Sequence, residues 1–223
     1  MSGRWYYKGH HGLIKLQLNH LKEYVETLEN LIGKELSDFD SFVEKEAAKL
    51  EEEERDFFYD HHLDTQWQLS EIFPNILRTS LFIKCYSILE TELINMCDVL
   101  QKRNNYPIRL SDLKGKGIFL AQLYYKKVVG IEFPDQSKSW AEILKYNLIR
   151  NIFVHKEGHL SDDDKSKKAA DYIENKTSIL LDKYCRIQLT KDFVPQAIDV
   201  IEDFFNEFFE VIEKNVKSAS ILL

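Results

Sequence analysis

Apolar positions along this chain recur at helical rather than strand spacing. Ile14, Leu18, Leu21, Val25, Leu28 and Ile32 step by four and three residues in turn. That is a heptad seam on a helix of about six turns, and Gly33 predicts its end. An acidic segment anchored by Phe39, Phe42, Val43 and Leu50 follows, also helical, with Glu51, Glu52, Glu53 and Glu54 facing solvent and a turn near Asp64 and Thr65. Leu77, Leu81, Cys85, Ile88, Glu92, Asn95, Met96 and Val99 trace the stripes of a long helix over Asn75 to Lys102, with Pro74 at its N-terminal edge. Asn104, Asn105, Tyr106 and Pro107 break it. Ser111 and Asp112 open a shorter helix that Gly130 and Pro134 close.

The best-marked helix comes next. Ser139, Trp140, Ala141 and Glu142 read as a capping box, Arg150 and His155 lie toward the far end, and Gly158 is a natural C′ residue. Ser161, Asp162, Asp163 and Asp164 start another helix with acids at its positive end. The stretch from Ile179 to Leu189 reads as a short β-like segment, an extended strand or a hairpin arm. Thr190 then caps a final amphipathic helix carrying Val194, Ile198, Ile201, Phe205, Phe208 and Ile212. The expectation is an all-α helical bundle: residues 1–65 form an N-terminal helical, coiled extension, 66–217 the helical domain, and 218–223 a tail.

Composition supports long helices, since only 8 Gly and 4 Pro occur in 223 residues. No apolar run approaches the length of a membrane span and the first residues carry no leader-like apolar region, so the expectation is a soluble chain without membrane association. Cys85, Cys97 and Cys185 form no close pair. On one helix, Cys85 and Cys97 would stand about 18 Å apart. Scattered, odd-numbered cysteines suit a reducing cytosol, and cytoplasmic location is expected.

The net charge of -7 would discourage a nucleic-acid partner, but its distribution is uneven. Asp38 to Asp64 holds 11 acidic and 3 basic residues, whereas Lys102 to Lys156 holds 11 basic and 4 acidic ones. The second stretch can attract phosphate; the first repels it. Taken alone, either stretch reads first as a solvated helix face.

Candidate chemistry lies at the end of the basic stretch. At about 100° per residue, Asn151 and His155 share a stripe with Trp140, Leu144 and Leu148. Two polar groups on a packing face need partners. Either they pair with each other in the core, or they line a cleft or an interface between protomers. Arg150 projects about 100° from Asn151, with a stem long enough to swing its guanidinium to the helix edge. Its planar fork suits a pair of phosphate oxygens, and a His near a helix C-terminus is placed for proton transfer. Arg plus His suffices for metal-independent RNA cleavage. The imidazole moves a proton at the 2′-hydroxyl or the leaving 5′-oxygen, and the guanidinium stabilises the pentacoordinate phosphate.

Arg150, Asn151 and His155, in the arrangement Arg-Asn-x-x-x-His, resemble the R-x(4–6)-H motif of HEPN proteins. So does their setting: a long preceding helix with Ser87-Ile88-Leu89-Glu90-Thr91-Glu92-Leu93, a basic connecting region, the motif late on an amphipathic helix, and a closing helix. The resemblance covers roughly Leu69 to Val216. Arg4 with His10 or His11, and Arg55 with His61 or His62, satisfy the loose pattern too, but Arg55 sits in the acidic stretch and Arg4 at the N-terminus. Only Arg150 and His155 have the capped helix and basic neighbourhood.

The resemblance implies a homodimer whose two motifs line one cleft, and a metal-independent endoribonuclease of the toxin–antitoxin or phage-defence kind. It requires no metal or organic cofactor, leaves a 2′,3′-cyclic phosphate, and has an antitoxin or other defence protein as a further partner. Arg150 and His155 would be catalytic, with Asn151 positioning the His or the phosphate. Lys114, Lys116, Lys126, Lys127, Lys145 and Lys156 would hold the RNA backbone, with His159 as a further contact and Glu90 or Glu92 as orienters. The rival reading is a HEPN-like module that binds a partner protein or nucleotide and cleaves nothing. A third, a plain scaffold, requires Asn151 and His155 to be buried against each other. The heptad seam can dimerise the chain or pack on its own bundle. The Asp60-His61-His62 run lacks the strand setting of a phosphoesterase, and His10, His11, His61 and His62 lack a known zinc spacing.

Overall fold

The computed structural model describes residues 3–221, with side chains from 6 to 215. It is an all-α bundle with one small hairpin. Its elements are α1 (Gly3–Ala47), α2 (Glu52–Trp67), α3 (Phe73–Asn104), α4 (Gly117–Tyr124), α5 (Lys138–Lys156), α6 (Asp164–Glu174), β1 (Ile179–Leu181), β2 (Ile187–Leu189) and α7 (Phe193–Ile221). The first N-terminal Arg-His match, at Arg4, lies outside the described side chains.

α1 is a single helix of 45 residues. It passes straight through Gly33, where a helix end was expected, because the apolar seam continues as Leu36, Phe39, Val43 and Ala47 and pays for one flexible residue. Tyr7, Ile14, Leu18, Leu21 and Val25 belong to the main core, so the seam packs on its own bundle, chiefly against α7. Lys22 reaches Asp199 (2.7 Å) and Lys15 reaches Glu202 (3.4 Å) across that contact.

The turn expected at Asp64 and Thr65 is displaced to residues 48–51, after which the chain is helical to Asn104. A π-helical segment, Gln68–Ile72, joins α2 to α3, and the Phe73 N–H reaches back to the Gln68 carbonyl. The wide turn admits the buried Pro74, which has no N–H to give to a regular helix. The expected boundary at residue 65 falls inside α2, and Tyr7, Ile14, Leu18, Leu21 and Val25 of the first half of α1 share one core with α3 and α7.

α3 is the central helix, buried on most of its circumference by Leu81, Phe82, Cys85, Tyr86, Leu89, Leu93, Met96 and Cys97. Phe204 and Phe208 of α7 meet Tyr125, Phe133 and Trp140 with ring centroids 4.9–6.0 Å apart, and Phe205 and Phe209 extend the cluster along α7, within the usual range of aromatic packing. α4 ends in a second π segment, Tyr125–Val129, closed by Gly130 in a left-handed conformation. β1 and β2 pair antiparallel, Leu180 opposite Gln188, as the hairpin reading expected.

Among the described residues, no helix is long and apolar enough to cross a membrane. Cys85 and Cys97 are buried free thiols, and Cys185 is exposed. Burial pushes the Cys97 thiol up to about 12, which leaves it inert as a nucleophile.

Candidate functional site

α5 is capped two residues earlier than expected. Ser137 is the N-cap, and its hydroxyl accepts from the Trp140 N–H at 3.1 Å. Ser139 and Glu142 do not form a capping box but reach other helices: Ser139 donates to Glu207 (2.7 Å), and Glu142 accepts from Tyr172 and Lys176 (both 2.6 Å). The buried stripe is Trp140, Ile143, Tyr146, Ile149, Ile152 and Phe153. Leu144, Leu148, Asn151 and His155 lie beside that stripe rather than on it, running from exposed through half-buried to exposed again.

Here Arg150 is fastened by a chain of hydrogen bonds. Its Nη1 donates to Asn151 Oδ1 (2.9 Å), Asn151 Nδ2 donates to Asn147 Oδ1 (2.7 Å), and Asn147 Nδ2 donates to Tyr86 Oη (2.6 Å). The guanidinium carbon also lies 5.6 Å from the centroid of the Tyr86 ring, within cation–π reach. The chain thus closes on itself: Tyr86, only 1% exposed on α3, anchors the far amide with its hydroxyl and the cation with its ring. Burial pushes the Tyr86 hydroxyl well above its ordinary pKa, so it stays a neutral phenol. Arg150 Nε is buried and has no hydrogen-bond partner, and among the described residues the Nη1 bond to Asn151 is the one hydrogen bond its guanidinium makes.

His155 is exposed in the last turn of α5. Among the described residues it makes no hydrogen bond to Asn151 or Arg150; Asn151 spends both ends of its amide on Arg150 and Asn147. The buried Asn151–His155 pair that a plain scaffold requires is therefore not what forms.

Beyond His155 the helix is terminated abruptly. Glu157 and Gly158 both adopt positive φ (51° and 83°), and a Cβ at Gly158 would sit 3.1 Å from the Phe153 ring. The Gly158 carbonyl accepts from the Ile187 N–H (2.9 Å), and His159 bridges to Arg186, so the hairpin buttresses the end of α5. Lys156 is held by Ser161 (2.7 Å), Ser166 (3.3 Å) and Asp163. Asp163 is the N-cap of α6, and the hydrogen bonds from Lys156, Ser161 and Ser166 hold its carboxyl well below the usual carboxylate range.

The proposed phosphate contacts divide into two groups. Lys156 is tied as described and Lys126 is paired with Asp135, so both are engaged within the chain. Lys114, Lys116, Lys127 and Lys145 are exposed and form no ion pair among the described residues. Of the two candidate orienters, Glu92 turns away to His10 (3.1 Å). Glu90 stays near the site: its carboxylate would lie 3.3 Å from a Cβ at Gly117, and its charge acts on Tyr86.

Tyr86 and Asn147 were not singled out from sequence. Asn147 stands one turn before Asn151 on the same face, a signal that was available. Tyr86 sits in an ordinary buried stripe and gave none.

The remaining histidines go elsewhere. His11 meets Asn206 (3.1 Å) and stacks on Phe209, while His62 bonds the Phe58 carbonyl (2.8 Å) within a cluster of Phe39, Phe42 and Phe58. Among the described residues, no three His, Cys, Asp or Glu side chains are grouped to hold a metal ion. No family model, curated protein or solved structure matches the chain.

Proposed function

We propose that the chain is a metal-independent endoribonuclease of HEPN type, with Arg150 and His155 as its catalytic pair. One observation carries this reading: a half-buried guanidinium braced from α3 through Asn147 and Asn151, with an exposed, uncommitted imidazole five residues on in the last turn of the same helix. An arginine needed only for surface polarity requires no such brace, and a guanidinium held in place by a single side-chain bond from Nη1 keeps N–H groups to offer an anion.

The mechanism follows from what each group offers. His155 exchanges a proton with the 2′-hydroxyl or the leaving 5′-oxygen. Arg150 offers its free donors to the non-bridging oxygens as charge builds on phosphorus. Attack by the 2′-oxygen leaves a 2′,3′-cyclic phosphate and a 5′-hydroxyl. Lys114, Lys116, Lys127 and Lys145 supply the electrostatic attraction to the RNA backbone, and affinity falls steeply with salt.

Leu144 and Val154 flank the motif as exposed apolar side chains. We infer that this face pairs with a second copy, setting two motifs across one cleft. By the resemblance to HEPN proteins, the cellular role is that of a toxin or phage-defence effector in the cytoplasm. The acidic α1–α2 hairpin, with Phe57, Leu63 and Trp67 exposed, is the surface we assign to an antitoxin or other regulatory partner. That same hairpin is what supports the rival reading of a binding module that cleaves nothing.

The test is RNA cleavage in EDTA by wild type, His155→Ala and Arg150→Ala, with fold and oligomeric size checked in parallel. Chelator-resistant cleavage that disappears in both variants and yields a cyclic phosphate is the expected result. A folded wild-type dimer that cleaves none of several RNAs overturns it in favour of the binding module.

A further inference from the structure

A second feature stands apart from the motif and does not depend on the ribonuclease reading. Between α5 and α7 runs a groove of about 730 Å³, within the size range of small-molecule sites. Its floor is Tyr146 with Val200, and its walls carry Glu142, Asp199, Asp203 and Glu207, with Lys138 and Lys176 at one side.

Three of the four carboxylates are partly or wholly answered. Glu142 is neutralised by Lys176 (2.6 Å) and Asp199 by Lys22 (2.7 Å), and Glu207 accepts only the neutral Ser139 hydroxyl (2.7 Å). Asp203 is exposed and has no partner among the described residues. Asp203 and Glu207 thus keep their charges, opposed only by Lys138 on the rim.

The independent observation is Tyr146. It is 3% exposed, and its ring is clamped edge-on between Phe82 and Phe193 (centroids 5.8 and 5.7 Å), which fixes where the hydroxyl points. That hydroxyl lines the groove and makes no hydrogen bond among the described residues. The part of Tyr146 that remains accessible is therefore available at the groove, where an unpaired hydroxyl can accept from a group that enters.

We propose that this groove binds a linear aliphatic polyamine. An ammonium offers three donors and no acceptor, which suits two uncompensated carboxylates and an orphan hydroxyl. The four carboxylates disfavour an anion, and the absence of a metal-type cluster among the described residues disfavours a bare cation. Asp203 and Glu207, the two carboxylates that keep their charges, stand four residues apart on α7, a rise of about 6 Å. Nitrogens separated by three or four methylenes match that step, and the methylenes between them lie over Val200 and the Tyr146 ring.

The experiment is an NMR titration of the full chain with spermidine at physiological salt, following the Tyr146 ring and the α7 amides. Wild type is compared with Tyr146→Phe, which keeps the packing, and with the Asp203→Asn/Glu207→Gln pair. Magnesium and tetralysine serve as competing probes, and circular dichroism checks each fold. The expected result is saturable binding localised to the groove. It weakens severalfold in Tyr146→Phe and at least tenfold in the double variant, and equimolar magnesium does not displace it. Unchanged affinity in the double variant overturns the proposal, as do shifts confined to the acidic stretch 38–64. Tighter binding of tetralysine than of spermidine also overturns it, and reassigns the groove to a basic protein partner.

Discussion

The end of α5 and the α1–α2 hairpin are built on opposite plans. The end of α5 sits in basic sequence and is braced from three directions: Tyr86 of α3 through two asparagines, the β-hairpin through Gly158, and the α6 cap through Lys156. The hairpin is acidic, and α2 contains no buried residue at all. Its two helices meet through the His62 ring against Phe39 and Phe42 and through hydrogen bonds from Tyr59 to Glu44 and from Gln66 to Asp40. Both regions are amphipathic helices rich in charge, so exposure alone does not separate them. What separates them is the number of independent elements holding each side chain, and that is the property a reacting group needs.

The largest expected effect sharpens this contrast. Under the ribonuclease reading, His155→Ala removes the proton-transfer group and costs about 10²- to 10⁴-fold in cleavage rate, whereas Phe57→Ser and Leu63→Ser on the hairpin leave the rate unchanged. Single-turnover cleavage measures both. Loss of cleavage in the hairpin variants, with dimer size preserved, would break the contrast by making the hairpin part of the catalytic machinery.

Stability divides the chain along a different line, one that runs through α1 itself. Leu18 is fully buried against the bundle, so Leu18→Ala costs about 2–5 kcal/mol. Leu63→Ala, on the exposed hairpin, stays within about 0.5 kcal/mol. Urea unfolding reads both. Equal losses would mean that the hairpin is clamped by a surface not evident in the single chain, such as a second copy.

Asn147→Ala lies between these extremes. It strips a partner from the Tyr86 hydroxyl and from the Asn151 amide at once, and unpaired buried polar groups cost about 1–3 kcal/mol. Under the ribonuclease reading it also lowers kcat while leaving the pH dependence contributed by His155 in place. A variant that loses stability but cleaves at the wild-type rate would show the network to be a packing device only.

Much of this fold is written in periodicity. The heptad seam, the α3 stripes, the hairpin and the amphipathic α7 all form where apolar spacing places them. The sequence misleads where a local signal competes with a longer pattern. Gly33 reads as a stop, yet the seam resumes at Leu36 and carries the helix on. Pro74 reads as a helix start, but a π turn lets the helix run past it. Ser139-x-x-Glu142 satisfies a cap motif, while Ser137 does the capping and both motif residues serve tertiary contacts. The Arg150 and His155 pair was legible as a motif. Its brace was not, because Tyr86 lies 61 residues from Asn147 and no local pattern joins them.

Gly33 provides a direct check on that competition. Nothing lies within 4 Å of a Cβ built there, and the residue is mid-helix. Gly33→Ala should therefore stabilise the protein by about 0.5–1 kcal/mol, read as a higher urea midpoint. A helix that ended at Gly33 in the left-handed C′ conformation would give the opposite sign.

The smallest effect concerns pH. His11 stacks on Phe209 at 4.6 Å and faces Asn206 across the α1–α7 contact. Burial, aided by Lys15, lowers its pKa below the ordinary histidine value, against the weaker pull of Glu213 and Glu202. The unfolded chain then binds the proton more readily than the folded one, so His11 withdraws stability as pH falls through the ordinary histidine range. The loss levels off below the folded value. His11→Gln removes this contribution, so the gap between wild type and variant in urea midpoint should narrow or reverse from pH 7.5 to pH 5.5. A gap that widens in favour of wild type on acidification would place a stabilising charge on the ring. The seam between α1 and α7 would then be held by an ion pair to Glu202 or Glu213 rather than by the neutral stack.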